Sequence, residues 1–152
     1  AMSSGSIIQV VQTVKDDAFT TTSTSFVDIT GLSVDITPSS ASNKILVTAT
    51  IDAYAERTSS YNSMSLVRLL RDSTALIGGH MRGRIDNSDT ANYFKSGGHV
   101  SVKYLDTPST TSQLTYKIQG VNWAADSTLK INTETGSTYY SKSTIIAQEV
   151  VG

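Results

Sequence analysis

The residues able to do chemistry in this chain are few and loosely spaced. His80 and His99 have Asp86 and Asp89 between them. Two imidazoles and a carboxylate could hold a divalent ion, but nothing here repeats at the spacing of a metal motif, so no metal and no other cofactor is expected. A Ser-His-Asp site needs its nucleophile on a constrained turn beside a histidine. With this many serines some Ser falls near a His by chance, and no G-x-S-x-G turn occurs. Paired carboxylates for glycoside cleavage would have to come from Asp86, Asp89, Asp126 or Glu134, which read as solvated loop acids. The chain has no cysteine, which excludes disulfides, thiolate metal sites and thiol catalysis. The expectation is a protein that is not an enzyme.

Binding chemistry has better candidates. Gly78 to Arg84 (GGHMRGR) is the most basic segment and reads as a loop. Its glycines would let the backbone approach a ligand. Arg82 and Arg84, with His80 and Asp86, could hydrogen-bond carboxylates or sugar hydroxyls. Trp123 shares strand parity with Lys117 and Gln119, so it is expected on an outward face at a strand end. An exposed indole among polar neighbours is a stacking platform for a sugar ring. Tyr61-Asn62 and Tyr139-Tyr140 lie in expected loops and offer large contact area at low entropic cost. Subunit packing is the alternative use of Trp123. Leu46 and Tyr54 share the partly polar face of one strand, where exposed apolar groups need a partner surface. Arg68 lies on the face of Met64, Leu66 and Leu70 and must be paired or reach an edge. Leu46, Tyr54 and Arg68 are the expected interface residues.

The elements that must position these residues are strands. Ser and Thr make up about 29% of the 152 residues and charged residues only 16%; Thr-rich, Glu- and Lys-poor sequence favours sheet over helix. Ile7 to Lys15 is dense in Val and Ile. Phe26 to Thr30 and Leu32 to Thr37 read as two short strands either side of Gly31. In Lys44 to Ala55, Ile45, Val47, Ala49, Ile51, Ala53 and Ala55 share one face. Met64 to Arg71 is apolar on both faces, so it belongs deep in a sheet or at a subunit contact. Tyr93 to Leu105, Gln113 to Trp123, Leu129 to Ile131 and Thr144 to Val151 follow. Thr37-Pro38 and Thr107-Pro108 each open a hydroxyl-rich turn before a strand, where a residue without an N–H ends the preceding ladder. About ten strands at this spacing predict an all-β antiparallel sandwich of jelly-roll type. Residues 1–5 read as a cloning remnant and linker, and 6–152 as one domain. The net charge of -1 gives no reason to expect nucleic acid, and no stretch reaches the length of a membrane span.

Five segments carry a family resemblance: GSIIQVVQTVK, TSTSFVDITGLSVDITPSSASNKILV, LLRDSTALIGG, YLDTPSTTSQLTYKIQ and STIIAQEV. Taken in order from residue 5 to 151, they resemble a recurrent module of bacteriophage virion proteins found in tail-fibre and other receptor-binding or fibre-tip regions. The resemblance implies a compact jelly-roll sandwich like the C1q and tumour-necrosis-factor heads, a homotrimer, and a place on the virion surface beside other virion proteins. It implies binding of a host cell-surface polysaccharide, with a head-decoration or trimerisation role without ligand as the alternative, and a small polysaccharide depolymerase as a further one. No catalytic residue carries over. In a trimer, His99 following Gly98 would be the residue to form a three-histidine site on the axis.

Overall fold

The computed structural model describes residues 2–57, 63–83, 94–132 and 141–152, with the backbone alone described at 57, 63, 64, 80–83 and 94–96. The described residues form ten strands: β1 (Ile7–Lys15), β2 (Phe19–Thr21), β3 (Val27–Ile36), β4 (Lys44–Arg57), β5 (Ser63–Arg71), β6 (Thr74–Gly83), β7 (Phe94–Asp106), β8 (Leu114–Asn122), β9 (Ser127–Ile131) and β10 (Ser143–Val150). All pairings are antiparallel. The smaller sheet has the order β3-β8-β5-β6, and the larger is built around β4. One edge of β4 pairs with β7 along its length. The other pairs with β10 over Lys44 to Thr50 and then with β9 from Ala53 to Arg57. β1 lies outside β10, and β2 outside β9.

The chain passes from one sheet to the other between β2 and β3, β3 and β4, β4 and β5, β6 and β7, β7 and β8, and β8 and β9. First and last long strands are neighbours. That connectivity is a jelly roll, as the strand spacing predicts. The two proline-marked segments occupy corresponding crossings, β3 to β4 and β7 to β8.

Period-two patterning fills the space between the sheets. Ile45, Val47, Ala49, Ile51, Ala53 and Ala55 of β4 meet Ile29, Leu32, Val34 and Ile36 of β3, Val67 and Leu69 of β5, and Tyr116 and Ile118 of β8 in one core. Each large aliphatic buried this way contributes roughly 1.5–3 kcal/mol. Among the polar groups carried inside, Tyr116 Oη donates to Asp106 Oδ2 (2.6 Å), and Arg71 donates to both oxygens of Asp106 (2.9 and 2.8 Å). Burial, then the hydrogen bond to Asp106, pushes the Tyr116 phenol far above its ordinary range.

Two sequence expectations change. Phe26 to Thr37 is one strand, not two: Gly31 at φ 84° forms an irregularity between Asp28 and Ser33, and the buried Lys15 side chain lies 3.6 Å from where a Cβ would sit. Gly78 to Gly83 is not a loop but the second half of β6, paired with β5 so that His80 opposes Leu66 and Arg82 opposes Met64. The hairpin turn comes earlier, at Asp72, whose φ is 53°. A Cβ on Gly79 would meet Val100 of β7 at 3.4 Å, an ordinary van der Waals contact.

Candidate functional site: a groove on the smaller sheet

The outer face of the smaller sheet carries a groove of about 390 Å³. Its size is at the low end for small-ligand sites. The walls are Thr24, Ser25 and Phe26 on one side and Leu66, Val121, Asn122 and Trp123 on the other. Leu66 and Val121 are directly opposed on β5 and β8 and form the floor. Trp123 follows the last residue of β8 and is 70% exposed, on the outward side that its parity predicts.

Hydrogen bonds fix both walls. Asn122, 1% exposed, points inward. Its Oδ1 accepts from Ser65 Oγ (2.9 Å), its Nδ2 donates to Thr21 O (2.8 Å), and its backbone N–H donates to Ser23 O (2.9 Å). The 23–25 turn closes on itself through Ser23 Oγ, which donates to Ser25 O (2.6 Å) and accepts from Ser25 N–H (3.1 Å). Asn122 therefore ties the Thr24-to-Phe26 wall to the strand end that presents Trp123.

Beside the groove runs a ladder of polar side chains. The Arg68 guanidinium lies 3.7 Å from the centroid of the Phe26 ring, a cation–π contact. Its Nε and Nη2 both donate to Gln119 Oε1 (2.9 and 2.7 Å). Gln119 Nε2 donates to Asp28 Oδ1 (2.6 Å) and Lys117 Nζ to Asp28 Oδ2 (2.9 Å). The bond from Lys117, then that from Gln119, holds the Asp28 carboxyl below its ordinary pKa. A row of satisfied polar groups next to an aromatic and apolar trough suits a ligand with one stacking face and a hydroxylated rim.

The expected binding residues fare unequally. Trp123 lines the groove. His80 and Arg82 lie on β6, the edge strand of the same sheet. Tyr61, Asn62, Arg84, Asp86, Tyr139 and Tyr140 lie outside the described residues. The expected interface set divides between two surfaces. Arg68 belongs to the smaller sheet, paired with Gln119 and stacked on Phe26. Leu46 and Tyr54 face outward from β4 in the larger sheet, where the Tyr54 ring lies flat on Gly97: a Cβ on Gly97 would come within 2.3 Å of it. Sequence reasoning missed Phe26, Asp28, Leu66, Gln119 and Asn122 as parts of the groove. Parity already places Gln119 on the face of Trp123, but pairing with β3 and β5 is what brings up Phe26, Asp28 and Leu66.

No family model matches the chain, and no curated protein matches it. Among solved structures it is similar to a bacterial lipoprotein from Bacteroides thetaiotaomicron (9% identity over 76% of this chain and 54% of that one, TM-score 0.38). It is also similar to a chain of infectious bursal disease virus, Gt strain (18% identity, 100% and 40%, TM-score 0.38). A third is the insecticidal delta-endotoxin Cry8Ea1 of Bacillus thuringiensis (15% identity, 88% and 20%, TM-score 0.38). The chain thus spans about half or less of the length of these proteins. Likeness at this level carries no argument about role, and a phage-fibre family is not shown by it.

Proposed function

We propose that this chain is a non-enzymatic virion module that assembles with copies of itself, as a trimer at a fibre tip, and binds a bacterial surface glycan in the groove of the smaller sheet. The observation that carries the ligand reading is Trp123, held 70% exposed over an apolar trough. Leaving an indole in water is unfavourable unless something covers it. Among the described residues the lining is hydroxyl, amide, aromatic and aliphatic, a composition that suits stacking on a sugar ring. A glycan array is the test. Binding to one host-type polysaccharide, lost in Trp123→Ala, is expected. A blank array with the native chain would sink the reading.

The assembly reading rests on the opposite surface. Strand register lines up the outward residues of the larger sheet in rows: Val10, Gln148, Leu46 and Leu105; then Gln12, Ile146, Thr48 and Lys103; then Val14, Thr144, Thr50 and Ser101. Val10, Val14 and Leu105 are 58, 47 and 50% exposed. Lys103 is the one charge in these rows, so a second copy of the same face can approach with little like-charge repulsion. The same face favours a second reading, a decoration or trimerisation module without ligand. Light scattering on the native chain tests assembly: a particle of several copies is expected, and a monomer at micromolar concentration would count against both readings.

A further inference from the structure

The larger sheet holds an unpartnered carboxyl oxygen at the fork where β4 changes partners. There, Asp52 N–H donates to Ser143 Oγ (3.0 Å), Asn132 N–H donates to Asp52 O (3.0 Å), and Ser143 Oγ donates to Asn132 Oδ1 (2.6 Å). These bonds satisfy the backbone and leave the Asp52 side chain on the outer face. Asp52 is only 6% exposed, and its Oδ2 has no hydrogen-bond partner among the described residues. A buried carboxylate oxygen without a donor is costly, and such groups commonly mark an ion or water site. The residue directly opposite on β7 is His99, which is exposed. Cross-strand partners sit about 5 Å apart at Cβ, within reach of one shared ligand. Along the face the pair is flanked by Tyr54 and Gly97 on one side and by Thr50 and Ser101 on the other. Glu56, further along, is already paired with Lys130 (2.7 Å).

We infer that Asp52 and His99 are one chain's share of a divalent transition-metal site completed by another copy across this face. The inference rests on the self-assembly reading above. One imidazole and one carboxylate are donors that zinc-class ions accept, but two ligands do not hold such an ion. Among the described residues no three histidine, cysteine or acidic side chains are placed to hold a metal ion within one chain. Two or three copies meeting on this face supply four to six donors. Covering the face would otherwise bury the Asp52 charge still deeper without compensation. The ion offsets that burial, so metal and assembly are coupled.

The experiment compares the native chain, His99→Ala and Val10→Asp by sedimentation velocity with zinc chloride and with EDTA, and measures bound zinc after gel filtration. His99 is exposed, so its replacement leaves the fold intact. The native chain is expected to assemble at a concentration at least tenfold lower with zinc than with EDTA, and to retain one zinc per two or three chains. His99→Ala should still assemble at high concentration but lose both the zinc response and the zinc. Val10→Asp should lose assembly with or without zinc, which separates failure of the apolar face from failure of the metal site. Assembly of the native chain that is indifferent to EDTA and retains no zinc overturns the inference while leaving the assembly reading intact. Zinc retained equally by His99→Ala also overturns it.

Discussion

Glu149 is a buried carboxylate whose partners make a sharp prediction. It lies on the inward parity of β10 with Ile145 and Ala147 and is 1% exposed. Its Oε1 accepts from Ser39 N–H (2.6 Å), Ser39 Oγ (2.7 Å) and Asn43 Nδ2 (2.7 Å). Gln9, with its amide nitrogen turned inward, donates to Oε2 at 3.2 Å. Burial pushes this carboxyl up, but the bonds from Asn43 and Ser39 outweigh burial and hold it below its ordinary 4.5. Glu149→Gln keeps one acceptor and sets an amide NH2 against that of Gln9. Hydrogen bonds to charged groups contribute about 1.5–3 kcal/mol each, and part of each survives, so the expected loss is about 2–3 kcal/mol at neutral pH. For a chain of this size that is about 5–10 °C in Tm. A group with a depressed folded pKa contributes stability that is present above its unfolded pKa and lost as pH falls through the folded one. The gap between native and variant should therefore shrink as pH drops from about 4.5 toward 2. Urea unfolding followed by far-UV circular dichroism is the assay, because the one tryptophan is exposed in the native fold and reports unfolding poorly. A gap below about 1 kcal/mol at neutral pH, or one that does not narrow in acid, would refute the account.

Other substitutions separate the parts of the molecule. Trp123→Ala should abolish glycan binding on an array and shift stability in urea by no more than about 0.5 kcal/mol, because the side chain is largely in solvent. Tyr116→Phe removes the 2.6 Å bond to Asp106 and should cost about 1.5–3 kcal/mol in the same unfolding assay. In Gly120→Ala the new Cβ would meet Leu129 Cδ2 at 2.5 Å. Overpacking between β8 and β9 should lower stability by about 1–3 kcal/mol by calorimetry. Val10→Asp, on a side chain 58% exposed, should leave the monomer's melting curve within about 0.5 kcal/mol of native while removing association in light scattering.

Most strands were legible because one face of each is buried and the other is not. β4 and β8 follow alternation that needs only a two-residue period, and β1 and β5 show as short runs dense in apolar residues. β2 was not legible: Phe19–Thr21 is too short to show a period and exists because β9 offers it an edge. β6 was hidden by Gly78, Gly79 and Gly83, which look like loop residues until pairing with β5 makes the segment a strand. The groove was half legible. Trp123 lies on the outward face for the parity reason, but the ladder from Phe26 through Arg68, Gln119 and Asp28 to Lys117 joins three strands distant in sequence. Only the order β3-β8-β5 brings them together. The expected interface residues divide between the two sheets for the same reason: Leu46 and Arg68 each point outward from a sheet, and one sequence cannot tell which sheet a strand joins.

The ladder also limits how tightly the groove can bind. Both guanidinium nitrogens of Arg68 that face Gln119 are engaged, both oxygens of Asp28 accept, and the Gln119 amide is used on both sides. A ligand can still use the spare positions of these groups, since an ammonium has three donors and a carboxylate about four acceptor sites, but it exchanges bonds to water for them, which cancels most of its gain. Net affinity then comes from covering Trp123, Leu66 and Val121, a modest apolar area. On the proposed reading, binding by a single copy is accordingly weak, and useful avidity has to come from several grooves engaging one polysaccharide. The two outer faces suit that division. Copies joined through the rows of Val10 and Leu105 on the larger sheet leave the smaller sheet, on the far side of the sandwich, facing outward with its groove open. On the proposed reading, assembly is therefore the condition under which a shallow, self-satisfied groove becomes an effective receptor site.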